Sequence, residues 1–510
     1  MRVTNSMISN SASSHISNAK NKLLMYEEQY TTEKKIQRPS DDPTVAVRSL
    51  KYRSIMSQIK QYVQKNVKDA MSWMDTTESA MKNINSILVD MKGYMDQGAN
   101  GPLAVDERRA VLSTLQQFVS SIFEDNANAD YSGRFVFTGY RTDTSLLFGD
   151  ITKNLAYDIT ENFECSDVES VNVVTGGAVY DSNITSGQDY VDMAPKKEAV
   201  YRMQLSYKNC SNSGLQADGS TPTGVKEDYV KFTTSYKDAT GQMKADTVTA
   251  TTKASTDADA YEVGDDDVVF LYDTGEILMG KNVYSSIQEK QSAISVEYCK
   301  TEFDKSDIRP EMYFACSSYD SVSKKTIKYA DPSEQNIDYE INFSQTMTVN
   351  TQAKDAISTD IYRTVDYLTK TIEAVEDVEN RIAEADKLIK NSTDKNEIAT
   401  LNKLKETLKT EQSLRVTVMT EAFGKGLTMV DNAQEQLNVS LAKLGTRYNR
   451  LELTYDKLSD QKVDTEEQLS NNEDVDLSDA FINLTQADNL YQYALSSTSK
   501  ILGNSLLNYI

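Results

Sequence analysis

Apolar residues near both ends of the chain recur every three or four positions, which is the spacing of one face of an α-helix. Near the C-terminus the series is Leu477, Phe481, Leu484, Ala487, Tyr491, Ala494, Thr498, Ile501 and Ser505, flanked by Leu490, Leu495, Leu502 and Leu506. Near the N-terminus the series is Ile8, Ala12, His15, Ala19, Leu23, Tyr26 and Tyr30. We therefore predict an amphipathic helix at each end.

These two helices are predicted to need partners beyond each other. Full burial of an apolar side chain contributes about 1.5–3 kcal/mol, whereas ordering the backbone costs about 1–2 kcal/mol for each residue. Because two paired helices bury each apolar face only in part, we expect the ends to be largely unfolded in a single chain and to order when many copies pack together. The residues expected to carry this assembly are Ile8, Ala12, Leu23, Tyr26, Leu477, Phe481, Leu484, Tyr491, Ala494, Ile501 and Leu502.

The helical spacing continues inward from both ends and predicts several long helices. The first covers residues 55–94, and a second begins near Asp106 and forms an antiparallel hairpin with it. Helix resumes near Ala353 and continues to about residue 463. Within this second region we expect a break at residues 391–394 and an interruption at Gly424 and Gly426.

Between residues 141 and 350 the apolar period becomes two, which is typical of β-strands. Val268–Tyr272 and Ile277–Met279, for example, flank an Asp-Thr-Gly turn and are predicted to form a hairpin. The sequence thus predicts an α+β multidomain protein with a long α-helical coiled-coil or bundle core, made from both termini, and a β-rich insertion in the middle. The predicted domains are residues 1–36 with 475–510, residues 37–140 with 351–474, and residues 141–350.

A sharp connector is predicted between the first helix and the next. It consists of Arg38, Pro39, Ser40, Asp41, Asp42 and Pro43. Asp42 suits the N-cap of the following helix, and Pro43 suits its first position, where a missing N–H costs nothing. On spacing alone, this stretch is simply a turn that starts a helix. Phe135–Phe137, farther along, is predicted to be a short strand after a turn at Gly133.

Charge and composition exclude several classes of function. The formal net charge is −23 over 510 residues, which argues against nucleic acid or an anionic membrane as a partner, since both require a basic surface. No apolar run approaches the about 18 residues of a membrane span. The first ten residues lack the apolar core of a secretory signal, so export would use another route. The single histidine, His15, removes histidine-based triads and zinc sites, and we expect no cofactor.

Two groups of residues are weaker candidates for chemistry. Cys165, Cys210, Cys299 and Cys316 are too widely spaced for a paired zinc motif, and disulfides and free buried thiols both remain open. The acidic run from Asp257 to Asp267 departs from a calcium loop, because Tyr261 stands at the third ligand position and Glu262 stands where glycine belongs. We expect a solvated loop there. An acidic-pair glycosidase or an adhesin within residues 141–350 remains the alternative from another functional class.

Several segments resemble the flagellin superfamily. They are Met-Arg-Val-Thr-Asn-Ser-Met at residues 1–7, Arg-Pro-Ser-Asp-Asp-Pro at 38–43, Gly-Arg-Phe-Val-Phe-Thr-Gly at 133–139, Gly-Thr-Arg-Tyr-Asn-Arg-Leu at 445–451 and Leu-Leu-Asn-Tyr-Ile at 506–510. The chain is most similar to the hook–filament junction proteins of this superfamily, because filament flagellins usually open differently and lack the Pro-Ser-Asp-Asp-Pro sequence. The resemblance covers roughly residues 1–148 and 337–510.

The resemblance implies a structural adaptor of the bacterial flagellum rather than an enzyme. The terminal helices would pair in the innermost tube of an axial assembly, with about eleven copies in a ring. Its neighbours would be a hook-side junction protein and the filament flagellin or its cap. The resemblance also implies export through the flagellar type III channel to the hook–filament junction, with a cytoplasmic chaperone that shields the C-terminal helix. The alternative is a filament flagellin subunit.

Overall fold

The computed structural model describes residues 5–100, 103–184, 186–214, 229–238, 241–257 and 259–507, with side chains described within residues 6–500. Its α-helices are α1 (Asn5–Thr32), α2 (Pro43–Gln61), α3 (Val67–Asn100), α4 (Val105–Ser120), α5 (Gly187–Asp192), α6 (Lys281–Lys290), α7 (Ala353–Ala356), α8 (Asp360–Asn391), α9 (Lys395–Glu473) and α10 (Leu477–Leu507). None of these described helices is both long enough and apolar enough to cross a membrane.

The strands lie between α4 and α7. They are β1 (Asp130–Tyr131), β2 (Arg134–Phe135), β3 (Leu155–Phe163), β4 (Glu169–Thr175), β5 (Lys196–Gln204), β6 (Val230–Lys237), β7 (Met243–Lys253), β8 (Val268–Leu271), β9 (Glu276–Met279), β10 (Ala293–Lys300), β11 (Ala315–Asp320), β12 (Lys325–Lys328), β13 (Asp338–Asn342) and β14 (Gln345–Thr348). The predicted α+β class, with helical terminal regions and a central β-rich part, is confirmed.

The predicted long helix over residues 55–94 is interrupted by a π-helical turn. Residues 62–66 form this turn between α2 and α3, and the N–H of Val67 donates to the carbonyl of Tyr62. A π turn inserts one residue into the α-helical repeat. The buried positions in and before the turn are Met56, Ile59 and Val63. Ile59 belongs to the predicted series, whereas Met56 and Val63 each lie one residue after a predicted position, Ile55 and Tyr62.

The second helical region agrees with the prediction at one point and differs at another. The predicted break at residues 391–394 is confirmed, because α8 ends at Asn391 and α9 begins at Lys395. The predicted interruption at Gly424 and Gly426 is wrong, because α9 continues through both. A Cβ at Gly426 would lie 2.9 Å from Sδ of Met95, so this glycine permits close helix packing rather than a turn.

The central strands form one ten-stranded sheet in the order β12-β11-β3-β10-β6-β7-β8-β9-β5-β4. The β7–β8 pair is parallel, and the predicted hairpin is the antiparallel pair β8–β9. The predicted strand over Phe135–Phe137 is wrong beyond its first residue, because β2 ends at Phe135. Val136 and Phe137 are instead buried side chains, and Gly133 provides the turn with φ of +76°.

The chain forms two compact units. The smaller contains residues Met1–Met71, Tyr339–Met347 and Asn449–Ile510, and the larger contains Ser72–Asp338 and Thr348–Tyr448. The predicted division into three domains remains a prediction. In the larger unit, the four cysteines are free thiols, and three of them are buried. Burial raises the pKa of the Cys210 thiol to about 12, which keeps it protonated and unreactive at neutral pH.

The core of the larger unit contains a buried carboxyl group at Glu161. Its side chain accepts hydrogen bonds from the N–H and Oγ of Ser206 and from the hydroxyl of Tyr298. Burial raises its pKa from 4.5 to about 7, although these hydrogen bonds and the positive charge of Arg363 oppose the shift. A raised carboxyl pKa stabilises the folded state at low pH, and this contribution is lost as the pH rises through the folded value.

Between pH 4.5 and 8, ionisation of Glu161 alone should lower the free energy of unfolding by roughly 3 kcal/mol. Glu161→Gln removes the titrating group, so the variant should gain stability relative to the wild type as the pH rises. Urea unfolding of both proteins at several pH values measures this difference. Parallel pH profiles for the two proteins would contradict the assignment.

Candidate assembly surface

The two terminal helices pack against each other within the smaller unit. The ring of Tyr30, near the end of α1, lies 6.1 Å from the ring of Phe481, near the start of α10. The end of one helix therefore meets the beginning of the other, and the pair is antiparallel. The prediction that the ends are largely unfolded in a single chain is wrong for the described residues, because both are helical and paired.

One face of each helix is turned into this pair, and small residues dominate its most buried positions. Ala12, Ala480 and Ala487 are 8%, 0% and 2% exposed. Larger side chains along the same faces are only half-buried, namely Ile16, Leu23 and Tyr26 on α1 and Leu484, Tyr491 and Thr498 on α10. Alanine lets two helices approach closely but adds little apolar area, so the pair has a narrow core.

The remaining apolar side chains of the two helices are exposed to solvent. We call them the outer face, which consists of Met7, Ile8, Leu24, Met25, Tyr30, Leu477, Phe481, Ile482, Leu490, Tyr493 and Leu495. Phe481 is 57% exposed and Tyr493 is 72% exposed. Scattered exposed apolar residues are normal on protein surfaces, but a concentration of large ones on two paired helices indicates an interaction surface.

The residues predicted to carry assembly are divided between these two faces. Ala12, Leu23, Tyr26, Leu484, Tyr491 and Ala494 are buried or half-buried positions of the helix pair, whereas Ile8, Leu477 and Phe481 belong to the outer face. The side chains of Ile501 and Leu502 lie outside the described part of the chain. The predicted three-four series thus includes the paired face, but the spacing alone did not show which of its members remain exposed.

A second feature, which we call the clasp, joins the inner ends of the terminal helices. It consists of Glu33–Lys35, Arg53 and Ser470–Val475. The N–H of Lys35 donates to the carbonyl of Glu473 over 2.6 Å, and the N–H of Val475 donates to the carbonyl of Glu33 over 3.0 Å. Lys34 and Asp474 form an isolated antiparallel β-bridge between these two bonds.

Ion pairs reinforce the backbone bonds of the clasp. Nε and Nη2 of Arg53 donate to the two carboxylate oxygens of Glu473 at 2.9 and 2.8 Å, and Lys34 pairs with Asp474. Burial alone would raise the pKa of Glu473, but the hydrogen bonds and charge of Arg53 outweigh it and lower that pKa. Two-point guanidinium–carboxylate pairs fix geometry as well as charge, so the clasp sets the relative direction in which α1 ends and α10 begins.

The predicted connector lies next to the clasp and stabilises its own turn. The carboxylate of Asp41 accepts from the N–H groups of Arg38 and Gln37 at 2.9 and 3.1 Å, and these bonds lower its pKa. Asp42 accepts from the N–H groups of Thr44 and Val45, which confirms it as the N-cap of α2 with Pro43 in the first turn. Arg38, Pro39 and Ser40 are exposed.

The clasp was not predicted from the sequence. Lys34 is 440 residues from its partner Asp474, and Arg53 is 420 residues from its partner Glu473, so no local pattern joins them. A usable signal was present, because Lys34 and Lys35 follow α1 and the acidic segment 473–476 precedes α10. Within the described residues, no group of three or more histidine, cysteine, aspartate or glutamate side chains is arranged to hold a metal ion.

Comparison with known proteins assigns the two ends of the chain to a class. Residues 3–142 match the family model described as the bacterial flagellin N-terminal helical region, and residues 427–510 match the bacterial flagellin C-terminal helical region. The two ends of this chain are therefore similar to the helical regions of bacterial flagellin. The sheet-bearing segment between them lies outside both matches.

Particular relatives narrow this class. Flagellar hook-associated protein 3 of Escherichia coli (strain K12) is 25% identical over 145 residues, which are 28% of this chain and 45% of the relative. The protein of the same name from Salmonella typhimurium has the same identity and coverage. The chain thus spans about half the length of the curated relatives it matches. A solved putative flagellar hook-associated protein from Vibrio parahaemolyticus is 12% identical, covers 85% of this chain and 100% of its own, and has a TM-score of 0.36.

The clasp yields a testable expectation. Glu473→Ala removes both acceptors of the Arg53 guanidinium but keeps the backbone bond to Lys35, so we expect a local loss of about 1–3 kcal/mol. Amide hydrogen exchange measured by mass spectrometry should become faster in α1 and α10. Glu452→Ala, an exposed glutamate of α9, is the matched control and should leave exchange unchanged. Equal protection of both helices in the two variants would show that the clasp does not hold them.

Proposed function

We propose that this protein is a structural adaptor of the bacterial flagellum that joins the hook to the filament through self-association of its terminal helices. The observation that carries the proposal is the exposed outer face on a pair of flagellin-type helical ends. Burial of each large apolar side chain contributes about 1.5–3 kcal/mol. Packing this face against sister chains supplies the stabilisation that the narrow core of a single helix pair lacks.

The assembly we propose is a ring of about eleven copies, in which each copy presents its helix pair to the next by head-to-tail contacts that close on themselves. The ring would contact a junction protein on the hook side and the filament flagellin or its cap on the other side. The proteins named hook-associated protein 3 among the relatives support this position over that of a filament flagellin. The location we propose is therefore outside the cell, at the hook–filament junction.

The outer face also bears on how the chain is exported and how α10 is protected before assembly. We propose that the chain leaves the cell through the flagellar type III channel and that a cytoplasmic chaperone covers the apolar side chains of α10 beforehand. An exposed apolar face of this size is otherwise an aggregation risk in a crowded compartment. The narrow core of the helix pair supports this proposal, because a weakly held pair is easily separated for export.

Assembly is tested by placing a charge on the outer face. Phe481→Asp should leave the protein soluble and its circular dichroism nearly unchanged, because Phe481 is 57% exposed, yet ring formation and swimming should be lost. Leu484→Asp should have the same effect and should also weaken the helix pair, because Leu484 is half-buried. The measurement is complementation of a flagellated strain that lacks its own copy of the gene, scored by motility and by electron microscopy of filaments.

Gln486→Asp is the matched control for that experiment, since it places the same charge on an exposed polar position of α10. It should support normal swimming. Intact filaments and normal swimming in the Phe481→Asp strain would refute the role of the outer face in assembly.

The position along the flagellum distinguishes the two candidate roles. Immunogold labelling of isolated flagella should give a single band at the hook end of each filament. Label along the whole filament would instead identify a filament flagellin, which is the alternative role.

A further inference from the structure

The strand β7 of the larger unit has one side without a neighbouring strand over most of its length. It pairs with β6 along Met243–Ala250, whereas β8 covers its other side only at Thr251–Lys253. Every residue in Met243–Thr249 is exposed. Among the described residues, no strand other than β6 pairs with this part of β7. We call the uncovered side of Met243–Thr249 the open edge, and it is roughly 20 Å long.

A hydrogen bond at the end of β7 shows which backbone groups point toward the open edge. The carbonyl of Lys253 accepts from the N–H of Tyr272 at 3.2 Å, on the side where β8 lies. The N–H and C=O groups of successive residues point to alternate sides of a strand. Those of Met243, Ala245 and Thr247 therefore point away from β6, where another strand could bind them.

The open edge lacks most of the features that prevent edge strands from pairing. Such strands are usually protected by a β-bulge, a proline, several charges or a covering loop. The register between β6 and β7 is continuous, so no bulge interrupts it. Residues 247–252 read Thr-Val-Thr-Ala-Thr-Thr, without charge, proline or glycine, and threonine and valine favour strands. This edge is therefore able to accept a further strand.

The two charged residues of the open edge have opposite signs and lie on either side of Ala245. The side chains of Lys244 and Asp246 are 57% and 60% exposed. Their ion pairs within the chain are long, at 3.4 Å from Lys244 to Asp238 and 3.9 Å from Asp246 to Lys290. A two-fold axis at Ala245 would place Lys244 of each copy directly opposite Asp246 of the other copy. The edge is thus complementary in charge to itself.

We propose that the open edge pairs antiparallel with the open edge of a second copy of this chain, about a two-fold axis at Ala245. Met243 of each copy then lies opposite Thr247 of the other, and the outward backbone groups form the ladder of hydrogen bonds. Lys244 and Asp246 face each other at the positions between these bonds, where opposite side chains are closest. The paired segment is Met243–Thr247.

The charges select this register over its nearest competitor. A two-fold axis at Thr247 would use a similar set of backbone groups, but Lys244 would lie opposite Ala250 and Asp246 opposite Val248. Opposite charges that face each other across two strands stabilise the pair, so the axis at Ala245 is favoured.

This contact is separate from the proposed ring. A two-fold contact uses the same surface on both copies and is complete with two of them, so it joins copies in pairs and does not by itself build a ring. It belongs to β7 in the larger unit, whereas the ring depends on the outer face of α1 and α10 in the smaller unit. Either proposal can therefore fail while the other holds.

The test is sedimentation equilibrium of the full-length chain carrying Phe481→Asp, which weakens association through the outer face. At about 0.05 M salt, where charges are weakly screened, we expect a reversible monomer–dimer equilibrium with a dissociation constant of roughly 10–500 µM. Adding Lys244→Glu should weaken the dimer about tenfold or more, because like charges then face each other twice. Adding Asp246→Lys to that variant reverses both charges and should restore the dimer.

A proline variant tests the backbone bonds. Ala245→Pro removes an N–H that points away from β6, so the strand should remain folded, as circular dichroism would show, while the dimer is lost. Thr249→Pro is the matched control, because Thr249 lies on the same side of β7 but outside the paired segment. It should leave the dimer unchanged.

Three results would overturn the proposal. The first is a chain that stays monomeric up to about 0.5 mM, beyond the expected dissociation constant. The second is a dimer that Lys244→Glu leaves unchanged, or one that Asp246→Lys fails to restore. The third is a dimer that Thr249→Pro abolishes, because the axis would then not lie at Ala245. The exposed charge variants remain decisive if Ala245→Pro fails to fold.

Discussion

The narrow contact between α1 and α10 is the constraint on which the rest of the smaller unit depends. Two helices that meet along one face must leave their other faces in water, and here the shared face is filled mainly by alanine. The large apolar residues are therefore concentrated on the outside, where only another molecule can bury them. The helix pair is ordered enough to present a defined surface, and its own core is small enough that further packing matters. In the role we propose, this surface is completed by packing against other copies.

The clasp fixes the relative direction of the two terminal helices, which the narrow apolar contact between them cannot fix by itself. A two-point Arg53–Glu473 pair, a short β-bridge and a self-capped connector bring together segments that are more than 400 residues apart in sequence. Backbone bonds and ion pairs depend on direction more strongly than apolar contacts do. In the assembly we propose, the apolar faces provide the driving force for association, and the clasp determines the geometry in which those faces are presented.

The larger unit differs from the smaller one in that it buries several ionisable side chains. Its interior contains ionisable groups, including Glu161 and Arg202 on the sheet and Arg363 on α8, that are each nearly fully buried. Burial of charge is costly unless partners compensate it, and most of these groups have partners, as the Arg202 pairs with Glu169 and Glu276 demonstrate. Arg363 is an exception, because its Nε and Nη1 have no hydrogen-bond partner among the described residues. The polar interior of the larger unit differs from the smaller unit, where the exposed apolar surface is external.

Local sequence patterns determined the elements that depend on neighbouring residues. The terminal helices, the Asp42 cap, the break at residues 391–394 and the β8–β9 hairpin follow from periodicity and turn chemistry that act over a few positions. Tertiary structure alone decided how much of each apolar series on the terminal helices is buried, because that depends on how far the partner helix covers it. It also decided the π turn at residues 62–66, the role of Gly426 as a close contact and the partners of Glu473 and Arg363. Each of these depends on residues far apart in the sequence, and local patterns contain no information about which distant side chain fills a given space.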